Sequence, residues 1–289
     1  MTVTIHPFDA ALGAEVRGVD LSKALSNADF AEIERAYNEH SVLLFRDQDI
    51  SPEQHVGFSR RFGDLEIHVL DQYLHPEHKE ILVVSNVEDE GRNIGVPDAG
   101  RYWHTDLSYA VEPSRGSLLY AIEIPHDDKG EPLGETRFAS AAVAYDALPD
   151  EMKARIENLE AEFSLAHRFK KINEDFDPDA ELNETQEEQV PSVTHKVVRT
   201  HPITGRKNIY VNEGHTFSIK GLPTAEAESL LSELWAHIKR PEFVYTHRWR
   251  KGDLLMWDNI PCQHIAIGDY ALPQRRYMHR TTLKGDAPI

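Results

Sequence analysis

The chain is poor in cysteine, in long apolar runs and in basic side chains. Its single cysteine, Cys262 in a chain of 289 residues, cannot form an intrachain disulfide, so the fold does not depend on an oxidising compartment. No stretch approaches the roughly 18 consecutive apolar residues that indicate a membrane-spanning helix. The 31 Lys and Arg are outnumbered by 49 Asp and Glu, which gives a net charge of −18. This imbalance argues against a general nucleic-acid or anionic-membrane surface.

Several sequence signals are also missing. No glycine-rich phosphate loop follows an apolar strand, and no repeat of fixed period occurs. Residues 1–9 lack the basic and apolar regions of a secretory signal, so we expect a cytoplasmic protein. Apolar residues at 40% and charged residues at 28% are ordinary for a globular chain. We expect one domain over residues 1–289 that forms a homo-oligomer and has neither nucleic acid nor a membrane as a partner.

Helix-start signals occur at Ser26 and Ser51. Ser26 can cap an amphipathic helix. Ser51 opens a capping box in which Pro52 is the first helical residue, and Gly63 is placed to end that helix. Apolar residues at spacings of three and four predict buried helix faces, and these stripes are Phe30, Ile33 and Tyr37; Leu148, Met152, Ile156 and Leu159; and Leu230, Leu231, Leu234, Trp235 and Ile238.

Runs rich in Val, Ile, Tyr and Phe, separated by Gly, Pro and Asp, predict β-strands. Helix signals concentrate early and strand signals late, which favours a mostly β protein with flanking helices (α+β) over a βαβ sheet. The predicted strands are Val42 to Phe45, Ile81 to Ser85, Ser117 to Ile124, Lys196 to Arg199, Asn208 to Asn212, Phe243 to Trp249 and Asp253 to Trp257.

The segment 173–189 differs in composition from the rest of the chain. It carries eight acidic residues and no Lys or Arg. Such a segment is typical of a solvated excursion. The alternative is a lid, at about residues 168–192, that covers a site.

Sixteen histidines invite a search for metal ligands, although most histidines have no such role. The triplet His-x-Asp/Glu begins at His75, His78, His104 and His126. Three of these triplets lie in charged, turn-like surroundings. The segment 102–107 is different, because its aromatic and β-branched residues indicate an ordered extended chain.

On a strand, His104 and Asp106 would project to the same side. They would offer one nitrogen and one carboxylate to a single metal ion, with His264 as the best candidate for a third ligand. Two histidines and one carboxylate on one face of an octahedral ion are the ligands of non-haem Fe(II) oxygenases. The alternative is a set of buried, hydrogen-bonded histidines.

Two arginines follow His264 at an even spacing. If Arg276 and Arg280 lie on one face of a strand, they form a cationic floor near the metal. Because guanidinium pairs bidentately with carboxylate, this floor suits a dicarboxylate. The alternative is a pair of surface arginines bound to local acids.

These motifs together resemble the taurine dioxygenase family, which includes 2,4-dichlorophenoxyacetate dioxygenase. The resemblance extends over nearly the whole chain. It rests on the segments Leu12 to Leu21, Leu43 to Gln48, Phe62 to Leu65, Trp103 to Asp106, Gly134 to Thr136, Phe138 to Ser140, Trp257 to Asn259 with His264, and Pro273 to Thr282. Members of this family are Fe(II)- and 2-oxoglutarate-dependent oxygenases, so the resemblance implies a double-stranded β-helix (jelly-roll) core.

The resemblance also implies roles for individual residues. His104, Asp106 and His264 would bind Fe(II). Thr136 and Arg276 would hold the distal carboxylate of 2-oxoglutarate. Trp249 would border the cosubstrate. Arg280 would lie near the proximal carboxylate of 2-oxoglutarate or near the anionic group of the substrate. The residues that would contact the substrate are His68, Tyr73, Tyr102 and Leu107.

The implied reaction is hydroxylation of a small anion with O2, which releases succinate and carbon dioxide and often cleaves a bond between carbon and a heteroatom. The substrate would be a sulfonate, a sulfate ester, or an aryloxy or other carboxylate. Asp71 and Gly100 stand where the taurine-binding member has a tyrosine and an asparagine, so the choice among these substrates stays open. Two alternatives use the same site: a zinc hydrolase and a non-enzymatic jelly-roll binding protein.

Overall fold

The computed structural model describes residues 2–97, 99–175 and 190–286. The α-helices in these ranges are α1 (Asn27–His40), α2 (Pro52–Ser59), α3 (Ala141–Asp146), α4 (Asp150–Ile156), α5 (Leu165–Asp175) and α6 (Thr224–Ile238). Short 3-10 helices span Asp71–Tyr73 and Pro241–Phe243.

The strands of the described residues form several sheets. In chain order they are β1 (Thr4–Pro7), β2 (Ala14–Arg17), β3 (Val42–Phe45), β4 (Leu82–Ser85), β5 (Glu88–Asp89), β6 (Arg92–Asn93), β7 (Gly116–Glu123), β8 (Thr136–Ser140), β9 (Glu160–Phe163), β10 (Val193–Lys196), β11 (Val198–Thr200), β12 (Lys207–Ile209), β13 (Thr216–Ile219), β14 (Val244–His247), β15 (Leu254–Asp258), β16 (Cys262–Ala266) and β17 (Tyr277–Leu283).

The largest sheet has seven strands in the order β1-β2-β3-β15-β7-β17-β4. Its pairs are antiparallel except for β2 with β3, which run parallel. A three-stranded antiparallel sheet has the order β14-β8-β16. The architecture is therefore a set of mixed sheets with few helices.

The two sheets pack against each other through a buried apolar layer. Phe138 on β8 is fully buried, and its ring centroid lies 5.6 Å from that of Trp257 on β15. Met278 on β17 and Leu255 on β15 belong to the same cluster. Alternation along each strand places these side chains between the sheets.

Helices cover the remaining apolar surfaces. Ile33 and Tyr37 of α1 pack with Leu43 and Phe45 of β3 in one buried cluster. A second cluster holds the predicted stripe Leu230, Leu231, Leu234 and Ile238 of α6, together with apolar residues of β9, β11 and β12. The sequence predicts that Ile33 and Tyr37 of α1 and the apolar stripe of α6 form buried helix faces, and the structure confirms this.

The N-terminal helix signals are confirmed as well. Ser26 accepts a hydrogen bond from the backbone N–H of Asp29 at the start of α1. Ser51 and Gln54 form the capping box of α2. The expectation for Gly63 is wrong, because α2 ends at Ser59 and its C-terminal cap is Arg60. The stripe from Leu148 to Leu159 extends beyond its helix, since α4 spans only Asp150–Ile156.

The predicted segregation of early helices and late strands is also wrong. Strands β1 and β2 precede the first helix, and α6 follows β13. Each of these first two strands has only four residues and mixes polar with apolar side chains. Strands this short carry too little alternation to be recognised from sequence.

One expectation concerns a segment that lies mostly outside the described residues. The acidic segment 173–189 begins within α5, which extends to Asp175. Residues 176–189 lie outside the described residues.

In the described ranges, no helix combines the length and the apolar character that crossing a membrane requires.

We expect Phe138→Ala to reduce the free energy of unfolding by about 3–5 kcal/mol, because it leaves a cavity between the two sheets. Urea denaturation followed by far-UV circular dichroism measures this change. Ile203→Ala is the matched control, since Ile203 is 57% exposed and its truncation should cost less than about 0.5 kcal/mol. Equal losses in both variants would contradict the packing of the two sheets through Phe138.

Candidate functional site

The site is centred on a backbone pairing between two histidine residues. The N–H of His104 donates to the carbonyl of His264 at 3.0 Å, and the N–H of His264 donates back to His104 at 2.8 Å. His264 lies on β16, in the three-stranded sheet, whereas His104 forms only an isolated bridge. The imidazole rings are consequently adjacent, with centroids 4.2 Å apart.

Asp106 completes a cluster of three possible metal ligands. Its Oδ1 lies 3.5 Å from His104 Nε2 and 3.9 Å from His264 Nε2. The three residues are buried, and one ligand atom from each lies within 4.8 Å of the others. In the described part of the chain no other group of three or more His, Cys, Asp or Glu side chains meets this criterion.

The route by which Asp106 reaches the histidines differs from the prediction. The residues after His104 form a turn rather than a strand, and Leu107 has a φ of 53°. The spacing argument therefore paired two residues that do lie close together, but they meet through a turn and not a strand. A left-handed backbone is uncommon for a leucine, and here it immediately follows the carboxylate.

A hydrogen bond orients the imidazole of His104, and burial keeps the imidazole of His264 neutral. The Nδ1 of His104 is 2.8 Å from the carbonyl of Tyr102, so Nδ1–H donates and the lone pair of Nε2 faces Asp106 and His264. Burial, reinforced by the nearby His104, holds the pKa of His264 well below its usual value. A neutral imidazole is the form that binds a metal ion.

The carboxylate of Asp106 is held at both oxygens. Ser117 Oγ donates to Oδ2 at 2.6 Å, and an Nη of Arg280 donates to Oδ1 at 3.2 Å. Burial acts to raise the pKa of Asp106, but the charge of Arg280 and the proximity of His264 and His104 outweigh it and keep the pKa well below its usual value. The group is an anion, as a metal ligand must be.

Asn259 fixes the backbone around the triad. Its side-chain oxygen accepts from the N–H of Asp106 at 3.4 Å and from Trp257 Nε1 at 2.9 Å. Its amide group donates to Ser114 Oγ, which in turn donates to the carbonyl of Asp106. Sequence reasoning assigned no role to Asn259, Ser114 or Ser117, because polar residues far apart in sequence give no signal of a shared network.

Gly100 approaches the ring of His104 closely. It has a φ of +72°, and a Cβ atom built there would lie 2.8 Å from His104 Cε1. An asparagine at this position would therefore strain the backbone and force the imidazole to move. The departure from the taurine-binding member noted in the sequence is thus part of the packing of a candidate metal ligand.

Three residues predicted to hold a cosubstrate are buried near one another. Trp249 Nε1 donates to Thr136 Oγ1 at 3.0 Å. Arg276 is 3% exposed and approaches Gly134, next to β8. The structure thus brings Arg276 to the strand that carries Thr136.

Arg276 lacks a carboxylate partner in the described ranges. Its Nε is buried without a hydrogen-bond partner, and its guanidinium lies 5.9 Å from the ring centroid of Tyr270. Burial lowers the pKa of Arg276, although a guanidinium stays protonated at neutral pH. A buried, unpaired cation is costly unless an anion binds it, so this position suits the carboxylate of a ligand.

The two arginines differ in their position relative to β17. Arg276 directly precedes β17, whereas Arg280 lies within it. The register shift in the pairing of β17 with β7 falls on β7, where Ile122 is the extra residue, so the alternation of side chains along β17 is not interrupted. Arg280 contacts Asp106 directly, and Arg276 approaches Gly134.

A cavity of about 170 Å³ lies beside Arg280, which donates to Asp106. His68, Leu107 and Arg280, all predicted to contact ligands, line it together with Tyr109, other apolar residues and three glutamates, Glu66, Glu80 and Glu112. Tyr102 does not line this cavity but packs on His104. Tyr73 lies in the Asp71–Tyr73 helix and is not among the residues that line the cavity.

His68 enters the cavity as a neutral group. Burial, assisted by the charge of Arg280, lowers its pKa to about 4. Its Nδ1 accepts from the backbone N–H of Leu70 at 3.2 Å, which leaves Nε2–H as a donor. His68 can therefore offer a hydrogen bond to an anion, but no positive charge.

Two aromatic residues near the triad were not identified from the sequence. His215 is buried, and its ring lies 6.1 Å from that of His104 and 4.8 Å from that of Tyr109. Neither residue belongs to a motif that would indicate chemistry. Only their positions in the folded chain place them beside the candidate metal ligands.

A larger groove of about 660 Å³ touches Trp249. Four arginines line it, and neither this groove nor the smaller cavity is lined by any of the three clustered ligands. Two of those arginines form ion pairs, Arg46 with Asp253 and Arg137 with Glu135. The smaller cavity is the better candidate for the reactive part of the site, because it is lined by Arg280, which donates to Asp106, and by Leu107, the residue after Asp106.

Comparison with known sequences gives a match over almost the whole chain. A family described as taurine catabolism dioxygenase TauD, TfdA family matches residues 4–282. An alpha-ketoglutarate-dependent 2,4-dichlorophenoxyacetate dioxygenase from Cupriavidus pinatubonensis is 36% identical over 300 residues, covering 100% of both chains. An alpha-ketoglutarate-dependent sulfate ester dioxygenase from Pseudomonas putida is 30% identical and covers 100% of this chain and 92% of that protein.

Solved structures are similar over the same extent. The crystal structure of AAD-2 in complex with Mn(II) and N-oxalylglycine superimposes with a TM-score of 0.82 at 33% identity, covering 100% of this chain and 99% of that chain. A putative alpha-ketoglutarate-dependent taurine dioxygenase from Burkholderia xenovorans gives a TM-score of 0.82 at 32% identity and covers 100% of this chain and 94% of that chain.

The family match, the identity with curated relatives and the buried cluster of two histidines and one carboxylate agree with one another. The enzymes of this group depend on Fe(II), 2-oxoglutarate and O2. The chain therefore belongs to the TauD/TfdA family of 2-oxoglutarate-dependent non-haem iron dioxygenases.

Proposed function

We propose that this enzyme hydroxylates a small organic anion at an Fe(II) centre held by His104, Asp106 and His264. The observation that carries the proposal is the convergence of two imidazole Nε2 atoms and one carboxylate oxygen within 4.8 Å in a buried site. Two nitrogens and one oxygen on one face of an ion leave positions for a chelating cosubstrate and for oxygen. The carboxylate stays ionised through Ser117 and Arg280.

The proposed frame for this site is a double-stranded β-helix, or jelly roll, in one domain over residues 1–289. The seven-stranded sheet and the β14-β8-β16 sheet supply its two facing layers. Phe138, Trp257 and Met278 fill the space between them. The site lies where both layers contribute, because His264 comes from the smaller sheet and Arg280 from the larger one.

Bound Fe(II) and 2-oxoglutarate would supply the oxidising power, since the keto acid and O2 together yield succinate, carbon dioxide and a hydroxylated substrate. The role of the protein is to hold both substrates in place and to limit side reactions. Hydroxylation of a carbon bonded to O, S or N gives a product that loses the heteroatom group.

The binding site proposed for 2-oxoglutarate centres on Arg276. Its unpaired guanidinium would receive the distal carboxylate bidentately, and the Thr136 hydroxyl would donate a further hydrogen bond. Trp249 supports Thr136 through the 3.0 Å contact of its indole N–H. N-oxalylglycine, which is bound in the AAD-2 structure, carries the same pair of carboxylates as 2-oxoglutarate.

The substrate is proposed to lie in the cavity beside Arg280. Leu107, Tyr109 and Val190 give it apolar walls, which suit a hydrocarbon or aromatic part. Arg280 lies near the proximal carboxylate of 2-oxoglutarate or near the anionic group of the substrate, and His68 offers a neutral donor. A sulfonate, a sulfate ester, or an aryloxy or other carboxylate fits this description.

A zinc hydrolase using the same three ligands fits the structure less well. It would give no partner to Arg276, whose buried Nε lacks one. The same argument disfavours a binding protein without turnover, because an apolar pocket alone does not need a second carboxylate site. Oxygen consumption coupled to succinate formation, measured across sulfonates, alkyl sulfates and aryloxy acids, tests the proposed activity directly.

We expect His104→Ala, Asp106→Ala and His264→Ala each to abolish the visible absorption that forms when wild-type protein receives Fe(II) and 2-oxoglutarate without oxygen. Each substitution removes one of three protein ligands. Equilibrium binding of Mn(II), followed by electron paramagnetic resonance, should weaken in parallel.

His126→Ala is the matched control for this series. His126 also begins a His-x-Asp triplet but is exposed, so its replacement should leave both signals unchanged. Normal absorption and Mn(II) binding in all three site variants would show that the metal lies elsewhere.

Arg276→Gln should weaken the binding of 2-oxoglutarate by about 2–5 kcal/mol, because a desolvated carboxylate loses its charged partner. Isothermal titration calorimetry without oxygen measures the effect. Arg275→Gln is the control, since Arg275 is 54% exposed and pairs with Glu123. If Arg275→Gln gave the larger loss, the carboxylate site would have to be reassigned to Arg275.

A further inference from the structure

The cavity proposed for the substrate carries more acidic than basic side chains on its walls. Among the described residues that line it, Arg280 is the one Lys or Arg, whereas three are glutamates: Glu66, Glu80 and Glu112. His68 adds no positive charge, because burial, assisted by the charge of Arg280, lowers its pKa to about 4. The lining is therefore acidic overall, although the proposed substrate is an anion.

The three glutamates differ in how far their charge is already compensated. Glu80 forms an ion pair with Arg60, and Glu112 is exposed to solvent. Glu66 is half-buried and has no Lys or Arg partner within the described part of the chain. Because water and salt screen a half-buried charge less than an exposed one, Glu66 is the acidic residue with the strongest effect on a ligand.

The backbone holds Glu66 beside β17, close to Arg280. The N–H of Glu66 donates to the carbonyl of Thr282 at 2.8 Å, and Leu65 forms a β-bridge with Leu283. Arg280 and Thr282 project to the same face of β17, and both line the cavity. Since a strand rises by about 3.3 Å per residue, the position of Glu66 lies about 7 Å along β17 from that of Arg280.

These two charged positions favour one orientation of a bound anion. An anionic group is stabilised near Arg280, where His68 also offers a neutral hydrogen-bond donor. Leu107 and Tyr109 add uncharged walls. A molecule bound in this way directs its other end towards Glu66. A second anionic group at that end would be repelled by the Glu66 carboxylate, whereas an ammonium group would be attracted.

We propose that Glu66 is a specificity-determining residue that restricts the cavity to substrates with one anionic group, bound at Arg280, and a distal end that is cationic or uncharged. This assignment rests on the proposed function and narrows it. Among sulfonates, sulfate esters and carboxylates, it favours zwitterions and simple monoanions. It disfavours molecules that carry acidic groups at both ends.

The test compares three aryloxyacetates that differ only in the group para to the ether oxygen. Phenoxyacetate has an uncharged end, 4-(aminomethyl)phenoxyacetate a cationic end and 4-carboxyphenoxyacetate an anionic end. Calorimetry on protein loaded with Fe(II) and 2-oxoglutarate, without oxygen, measures each Kd. We expect the wild type to bind the dicarboxylate at least about tenfold more weakly than phenoxyacetate, and to bind the aminomethyl compound more tightly.

Glu66→Gln keeps the size of the side chain and removes its charge. It should tighten binding of the dicarboxylate by about tenfold, weaken binding of the aminomethyl compound and change that of phenoxyacetate by less than about twofold. Glu66→Asp keeps the charge, so it should retain the wild-type order of the three probes. In turnover of the dicarboxylate, Glu66→Gln should lower KM and leave kcat unchanged.

Glu228→Gln is the matched control, because it removes the same unit of charge from an exposed position on α6. It should change none of the three affinities, which separates a local effect of Glu66 from the net charge of the protein. A merely structural role for Glu66 predicts a different pattern. In that case Glu66→Gln would lower the melting temperature of the ligand-free protein and weaken all three probes alike.

Each remaining outcome is also decisive. If the wild type bound the three probes equally, or if Glu66→Gln kept the wild-type order, the assignment of Glu66 would be overturned and the proposed function would stand. Failure of the wild type to bind either phenoxyacetate or its aminomethyl derivative, despite normal absorption with Fe(II) and 2-oxoglutarate, would overturn the placement of a monoanion at Arg280 and this assignment with it. Loss of that absorption in the wild type would overturn the proposed iron site instead.

Discussion

The buried negative charge of Asp106 constrains the rest of the site. An ionised carboxylate removed from water is stable only when it is paired and hydrogen-bonded. Here Ser117 on β7 and Arg280 on β17 provide those partners. Because β7 and β17 are hydrogen-bonded neighbours in the seven-stranded sheet, the order of that sheet determines where the carboxylate lies.

The imidazoles reach Asp106 from the opposite layer. His264 is part of β16, and its backbone holds His104 through two hydrogen bonds. Phe138 and Trp257 contact the His264 ring at 5.8 and 4.8 Å between centroids. The apolar packing that joins the two sheets therefore also orients a proposed metal ligand, so stability and metal binding depend partly on the same side chains.

Arg276 lacks an acidic partner in the described ranges, although the chain carries 49 acidic residues. Its Nε is buried without a hydrogen-bond partner. A buried cation without a counter-ion destabilises the ligand-free protein, and a bound carboxylate would remove that cost. The net charge of −18 repels anions from most of the surface. A buried positive charge such as that of Arg276 therefore marks a position that suits an anion.

The sequence by itself determined the helix caps at Ser26 and Ser51 and the central strand Val42–Phe45, because each depends on neighbouring residues and local periodicity. It also indicated His104 and Asp106 as a pair, although they meet through a turn and not a strand. Tertiary structure alone decided the partners of Asp106 and the burial of Arg276 without a carboxylate partner among the described residues. Those features join residues up to 174 positions apart, as Arg280 and Asp106 are, and no local pattern records which distant strands will become neighbours.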